Sequence, residues 1–167
     1  MSEIDGLELR PLGDADDVVL RAMLYEAAFW RPGGERPPLQ PALAPTDLAR
    51  YVDGWGRAGD CGLVADVRGD SVGAAWLRRF AATDPGYGFV DEHTPELGIG
   101  VAPAWRGRGV GTALLDGLLG RARADGTRRV SLSVEVDNPS RRLYERAGFE
   151  VVGHVEGSVT MVVDLGR

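Results

Sequence analysis

The segment RGRGVGT, residues 106–112, lies between a short apolar stretch at 96–101 and a run of apolar residues at helical spacing. At such a strand–helix junction several backbone N–H groups and the positive end of the helix dipole converge, so we expect an anion to bind there. The glycines let the backbone approach a phosphate closely, while Arg106 and Arg108 supply positive charge. The same residues are also consistent with a tight turn whose arginines are solvated. Motifs elsewhere in the chain are therefore needed to decide between an anion site and a turn.

The regions around this segment predict further strands and helices. Apolar residues from Val110 to Ala122 predict an amphipathic helix that Gly126 can end. Strict alternation over 130–136 predicts a strand, and Asn138 then suits the N-cap of a short helix. By the same criteria we expect a helix from Asp14 toward Trp30 and strands at 7–12, 61–67, 71–82, 96–101, 149–155 and 158–165.

Prolines and glycines interrupt this pattern early in the chain. Residues 31–45 contain five prolines and two glycines, which cannot sustain a helix or a central strand. We therefore expect a long loop, which serves either as a lid over a substrate or as a surface connector. A short helix that begins near Thr46 and ends in the glycines from Gly54 onward is expected to follow.

The length and charge of the chain limit the classes of function. With 167 residues the chain has the size of one domain, and we treat 1–167 as a single domain. All 19 basic residues are arginine, which excludes Schiff-base lysine chemistry and a Walker-type phosphate loop. The 25 acidic residues bring the net charge to −6, and this balance argues against nucleic acid as a partner.

The cysteine and histidine content and the hydropathy of the chain bear on disulfides, metal sites and membrane spans. Cys61, His93 and His154 are the only thiol and imidazole side chains, so we expect neither an internal disulfide nor a metal site. No apolar run is long enough to span a membrane, and the acidic start MSEIDGLELR differs from a signal peptide. We therefore expect a cytoplasmic protein with no membrane partner.

The glycine spacing distinguishes two kinds of nucleotide-binding loop. Gly107, Gly109 and Gly111 do not complete the dinucleotide fingerprint, which disfavours a nicotinamide cofactor. Arg106, Gly109 and Gly111 instead match the pattern of Arg or Gln, two residues, Gly, one residue, then Gly or Ala. The segment thereby resembles the cofactor loop of the GCN5-related N-acetyltransferase (GNAT) family. Residues 138–149, NPSRRLYERAGF, resemble the second motif of the same family in the expected order.

The resemblance implies a fold and a cofactor. The fold is an α/β domain with a mixed, mostly antiparallel sheet, helices on both faces and splayed central strands. The cofactor is acetyl-CoA, with its pyrophosphate in the glycine loop and its pantetheine arm along the free edge of the strand that ends at Val101. Asn138 would contact that arm, and its role as a helix cap can hold at the same time. The residues that the resemblance assigns to the cofactor are Ile99, Gly100, Val101, Arg106, Gly107, Arg108, Gly109, Val110, Gly111, Thr112, Asn138, Ser140 and Tyr144.

Two residues are candidates for the chemical steps. Tyr144 resembles the family tyrosine near the departing sulfur, where a phenol can protonate the thiolate; a core aromatic beside Leu143 is the alternative. An acceptor ammonium must lose a proton before it attacks a thioester. Glu96, at the start of the splayed strand, is the candidate base, acting directly or through water, and a solvated strand-end charge is the alternative. The reserve candidates are Asp91, Glu92 and His93.

We therefore expect an acetyl-CoA-dependent N-acetyltransferase that acetylates a primary amine of a small molecule or peptide by direct attack in a ternary complex. A non-catalytic acyl-CoA-sensing module of the same fold is the alternative, and the assembly, including a homodimer, stays open. Trp30 is a candidate for the acceptor pocket. A cationic acceptor would be favoured if the acidic residues between Arg79 and Arg106 line the cleft, namely Asp84, Asp91, Glu92 and Glu96.

Overall fold

The structure is a computed structural model that describes residues 4–166. Its strands are β1 (Leu7–Pro11), β2 (Cys61–Val67), β3 (Asp70–Arg78), β4 (Glu96–Val101), β5 (Arg129–Glu135), β6 (Glu150–Val155) and β7 (Ser158–Asp164). They form one seven-stranded sheet in the order β1-β2-β3-β4-β5-β7-β6. All neighbours in that order are antiparallel except β4 and β5, which run parallel. The expected mixed, mostly antiparallel sheet is confirmed.

Five helices cover the two faces of the sheet. They are α1 (Asp17–Ala28), α2 (Leu39–Leu43), α3 (Thr46–Ala49), α4 (Val110–Ala124) and α5 (Ser140–Arg146). Leu20 of α1 packs with Trp76 on one face, and Leu114 of α4 packs with Leu132 on the other; all four are buried. Helices on both faces are therefore confirmed as well. None of the helices described between residues 4 and 166 is long and apolar enough to cross a membrane.

The strands β4 and β5 separate almost as soon as they meet. Their register contains one pair, Glu96 with Ser131, and the Ser131 N–H donates to the Pro95 carbonyl at 3.0 Å. By contrast, β4 pairs with β3 along its whole length, from Glu96 to Val101. One edge of β4 is therefore left without a strand partner beyond its first residue, as expected for splayed central strands.

Three local expectations were wrong. The strand expected at 71–82 is shorter, since β3 ends at Arg78. The proline-rich segment contains the helix α2, which the sequence did not predict. Pro41 is tolerated there because it lies in the first turn, where backbone N–H groups have no partner within the helix. The helix that follows is shorter than expected, since α3 ends at Ala49 and the chain continues as turns before Gly54.

Candidate active site

The divergence of β4 and β5 opens a cleft of about 1110 Å³. Ile99, Gly100 and Val101 line it from β4, and residues 132–135 line it from β5. Because this edge of β4 has no further strand partner within residues 4–166, its main-chain groups can pair with an extended ligand that carries amides, although the Val101 carbonyl already accepts from Arg106 Nε at 3.2 Å. From Glu96 to Val101 the strand extends over roughly 17 Å.

The glycine loop closes one end of this cleft. Gly107 and Gly109 have φ values of 71° and 95°, a left-handed conformation that side chains other than glycine rarely adopt. Gly109 is the N-cap of α4 and makes no side-chain cap, so the first N–H groups of the helix stay available to an anion. Gly111 and Thr112 also line the cleft.

Three residues assigned to the cofactor serve the fold in other ways. The Val110 side chain is buried in the core below α4, so only its main chain can face a ligand. The Arg108 guanidinium stacks on the Trp105 ring at 4.2 Å and does not line the cleft. Arg106 lines the cleft, but its guanidinium also donates to the Glu26 carboxylate at 3.0 Å and so fastens the end of α1 to the loop.

The short helix α5 contributes the second motif to the cleft. Asn138 and Ser140 line it, and the Asn138 carboxamide oxygen accepts a hydrogen bond from the Ser140 N–H at 2.9 Å. The helix-cap role of Asn138 is therefore present, and its amide N–H₂ remains free to donate. Arg142 and Arg146 also line the cleft, and their side chains make no hydrogen bond or ion pair within residues 4–166. Neither arginine was predicted as a site residue from the sequence.

Tyr144 lies in the wall of the cleft with its ring in the core. The ring packs edge-on against Phe149, with the centroids 5.9 Å apart, and burial raises the pKa of the hydroxyl. The side chain lines the cleft, and among the described residues no hydrogen-bond partner holds its hydroxyl. A phenol that keeps its proton and has no fixed partner suits a proton donor.

Glu96 lies at the opposite end of β4 and is 2 % exposed, which excludes a solvated strand-end charge. Its Oε1 accepts hydrogen bonds from the Tyr51 hydroxyl at 2.9 Å and from the Gly88 N–H at 2.8 Å. Burial raises the pKa of Glu96 above its usual range, although these two donors oppose the effect. A buried carboxylate of this kind is better suited to accept a proton near neutral pH than an exposed one.

The reserve candidates for the base lie outside the cleft. Asp91 pairs with Arg129, Glu92 accepts from the Ala82 N–H at 3.0 Å, and His93 is exposed. None of the three lines the cleft, and neither does Asp84. Of the four acidic residues between Arg79 and Arg106, only Glu96 lines the cleft. Three other acidic residues line it from distant parts of the chain, namely Glu26, Asp47 and Glu135.

Trp30 and the first residue of the proline-rich segment, Arg31, contact the end of β5. Trp30 lines the cleft and its Nε1 donates to Glu135 at 3.2 Å. Arg31 forms ion pairs with Glu135 at 3.0 Å and with Asp137 at 2.7 Å. We call Trp30 and Arg31 the strap; it joins the end of α1 to the end of β5. Pro32 lines the cleft, so the segment contacts the cleft at its beginning.

A comparison with protein-family models identifies the family of this chain. The model described as "Acetyltransferase (GNAT) family" matches residues 23–149. The chain belongs to the GNAT family. The match covers the cleft from α1 to the end of the second motif, so the resemblance inferred from the two motifs is confirmed.

A curated relative and two solved structures are similar to this chain. A mycothiol acetyltransferase from Corynebacterium aurimucosum is 31% identical over 159 residues, which cover 89% of this chain and 50% of that protein. The chain spans about half the length, or less, of the curated relatives it matches. The ribosomal-protein-alanine N-acetyltransferase from Brucella melitensis is 26% identical with a TM-score of 0.67, covering 94% of this chain and 99% of that one. The PaiA N-acetyltransferase from Thermoplasma acidophilum, solved in complex with coenzyme A, is 18% identical with a TM-score of 0.66, covering 98% and 99%.

Proposed function

We propose that this chain is an acetyl-CoA-dependent N-acetyltransferase that acetylates a primary amine of a small molecule or peptide. One observation carries the proposal: a single cleft contains the unpaired edge of β4, the glycine loop at the start of α4 and the side chain of Tyr144. An edge for amides, an anion site and a proton donor are what acyl transfer from a CoA thioester requires.

The residues of the cleft fit acetyl-CoA. A Cβ at Gly107 would have no atom within 4 Å, so there is space beside the loop for a phosphate group. The N–H groups at the start of α4 would hold that group, and Arg142 and Arg146 would add charge that no acidic residue among the described ones neutralises. When bound, acetyl-CoA supplies the acetyl thioester that the amine attacks.

Glu96 and Tyr144 divide the proton transfers between them. Glu96 takes the proton that the acceptor ammonium must lose, and Tyr144 gives a proton to the departing thiolate. Direct attack within a ternary complex is favoured because the cleft offers no thiol. Cys61 does not line it, and burial raises the pKa of that thiol, which disfavours an acetyl-cysteine intermediate.

The choice of amines to be screened follows from the relatives. Mycothiol-related amines are tested first because of the name of the Corynebacterium relative, and peptides with an N-terminal alanine second because of the name of the Brucella enzyme. Release of free thiol from acetyl-CoA reports turnover for every amine in the same assay. Binding of acetyl-CoA without turnover of any amine would favour the acyl-CoA-sensing module instead.

A matched pair of glycine variants tests the cofactor site separately from turnover. Acetyl-CoA should raise the Tm of the wild type, because a ligand that binds only the folded state stabilises it. Gly109→Asp should abolish this rise by placing a side chain and a negative charge in the loop. Gly126→Asp is the control, since Gly126 also has a positive φ, 86°, but follows α4 outside the cleft. If neither acetyl-CoA nor CoA raises the Tm of the wild type at saturation, the proposal is wrong.

A further inference from the structure

Glu96 lines the cleft but is only 2 % exposed, and both of its carboxylate oxygens are enclosed by other groups. Oε1 already accepts from Tyr51 and from the Gly88 N–H. Oε2 has no hydrogen-bond partner among residues 4–166 and is buried against Gly86, where a Cβ would lie only 2.0 Å from it. Because Oε1 already has two donors and Oε2 is buried, a proton from an amine in the cleft would reach Glu96 most readily through an intermediate group.

The hydroxyl of Tyr51 is placed to be that group. Tyr51 lines the cleft, and its hydroxyl is 2.9 Å from Oε1 of Glu96. The Tyr87 N–H donates to the same hydroxyl at 2.7 Å. Since a backbone N–H can only donate, it occupies one lone pair of the Tyr51 oxygen, and the hydroxyl proton points to Glu96. The second lone pair has no partner among the described residues and can accept from an ammonium group.

We propose that Tyr51 is a further catalytic residue, whose hydroxyl passes a proton from the acceptor ammonium to Glu96. In this step an N–H bond of the ammonium breaks as an O–H bond forms at Tyr51, and the original Tyr51 O–H bond breaks as one forms at Oε1 of Glu96. The amine becomes neutral and nucleophilic, Tyr51 ends as a neutral phenol, and Glu96 ends protonated. This inference rests on the proposed function, because it needs an amine acceptor.

The charges around Glu96 are consistent with this route. Arg50 lowers the pKa of Glu96 only as a minor effect, and its guanidinium pairs with Asp84 at 3.0 Å. Arg78 lies opposite Glu96 on β3, but its guanidinium is held by Asp60 at 2.8 Å. From β5 the neighbour is Ser131, which carries no charge, and from the turn before β4 it is the uncharged Tyr87. No described cation forms an ion pair with Glu96, so its carboxylate can take up a proton.

The test compares Tyr51→Phe, Glu96→Gln and the double variant in the thiol-release assay. Each single variant should lower kcat by about 100-fold or more, in the range of general-base catalysis, and the double variant should be no slower than Glu96→Gln. The deficit should shrink as the pH approaches the pKa of the amine, because the acceptor then arrives deprotonated. Tyr25→Phe is the control: it removes another buried hydroxyl from the same core, bonded to the Pro37 carbonyl at 2.6 Å and outside the cleft, and should keep the wild-type kcat.

A second readout does not depend on turnover. Titration of Glu96 by carbon-13 NMR should give a higher pKa in Tyr51→Phe than in the wild type, because a donor to the charged carboxylate is lost. An unchanged Glu96 pKa, a wild-type kcat for Tyr51→Phe, or losses that add in the double variant would each overturn the relay while leaving the acetyltransferase proposal intact. A wild type that binds acetyl-CoA but acetylates no amine would instead overturn the acetyltransferase proposal, and the relay with it.

Discussion

Replacement of Gly86 by alanine tests whether the position of the buried carboxylate matters. A Cβ at residue 86 would lie 2.0 Å from Oε2 of Glu96, whereas ordinary contacts begin at 3.4 Å. The carboxylate must therefore retreat by about 1.4 Å, although the hydrogen bonds from Tyr51 and Gly88 hold it in place. Because a misplacement of about 1 Å at a reacting group can cost about 100-fold in rate, we expect kcat of Gly86→Ala to fall by about that factor.

The assay for this variant is thiol release at saturating amine, together with the rise in Tm that acetyl-CoA causes. The rise in Tm should be preserved, because Gly86 contacts the Glu96 end of β4 and the glycine loop lies beyond its other end. Gly120→Ala is the control, since Gly120 is exposed on α4 and has no atom within 4 Å of its Cβ position. That control should keep the wild-type kcat and gain about 0.5–1 kcal/mol of stability. A wild-type kcat and pH profile for Gly86→Ala would refute the reasoning.

Three further outcomes are expected. Burial raises the pKa of Glu96 above 4.5, so the folded protein retains a proton that the unfolded chain releases, and its stability falls as the pH rises through the raised pKa. Calorimetry should therefore show that Glu96→Gln has a higher Tm than the wild type at pH 7, and that the difference in Tm disappears below pH 4.5. A difference in Tm that does not depend on pH would contradict this. Tyr144→Phe should lower kcat and leave acetyl-CoA affinity unchanged in titration calorimetry, whereas an unchanged kcat would make Tyr144 a core aromatic only. Arg31→Ala should leave the midpoint of urea unfolding close to the wild-type value, because its pairs with Glu135 and Asp137 are about half exposed and screened by solvent. A large fall in that midpoint would show that the strap is structurally essential.

The glycine loop and the second motif could be predicted because their chemistry is local. Positive φ at Gly109, the N-terminus of α4 and the cap at Asn138 all follow from residues close together in the sequence. The surroundings of Glu96 could not be predicted in this way. Tyr51 follows the short helix α3 and Gly86 lies between β3 and β4, and neither residue belongs to a motif that points to Glu96. Their contacts with Glu96 depend on sheet pairing and on separations of 45 and 10 positions in the chain.

One end of β4 must be paired and buried and the other must stay open, and the single pair that β4 forms with β5 allows both. At Glu96 the strand is paired on each side, with Arg78 and with Ser131, so the carboxylate can be buried and its pKa raised. Toward Val101 the pairing with β5 is absent, and the main chain is left open to a ligand. A longer pairing would close the edge proposed for acetyl-CoA, whereas no pairing would expose the proposed base to water and lower its pKa toward the ordinary value. The position at which the two strands part therefore affects both the proposed cofactor site and the burial that raises the pKa of Glu96.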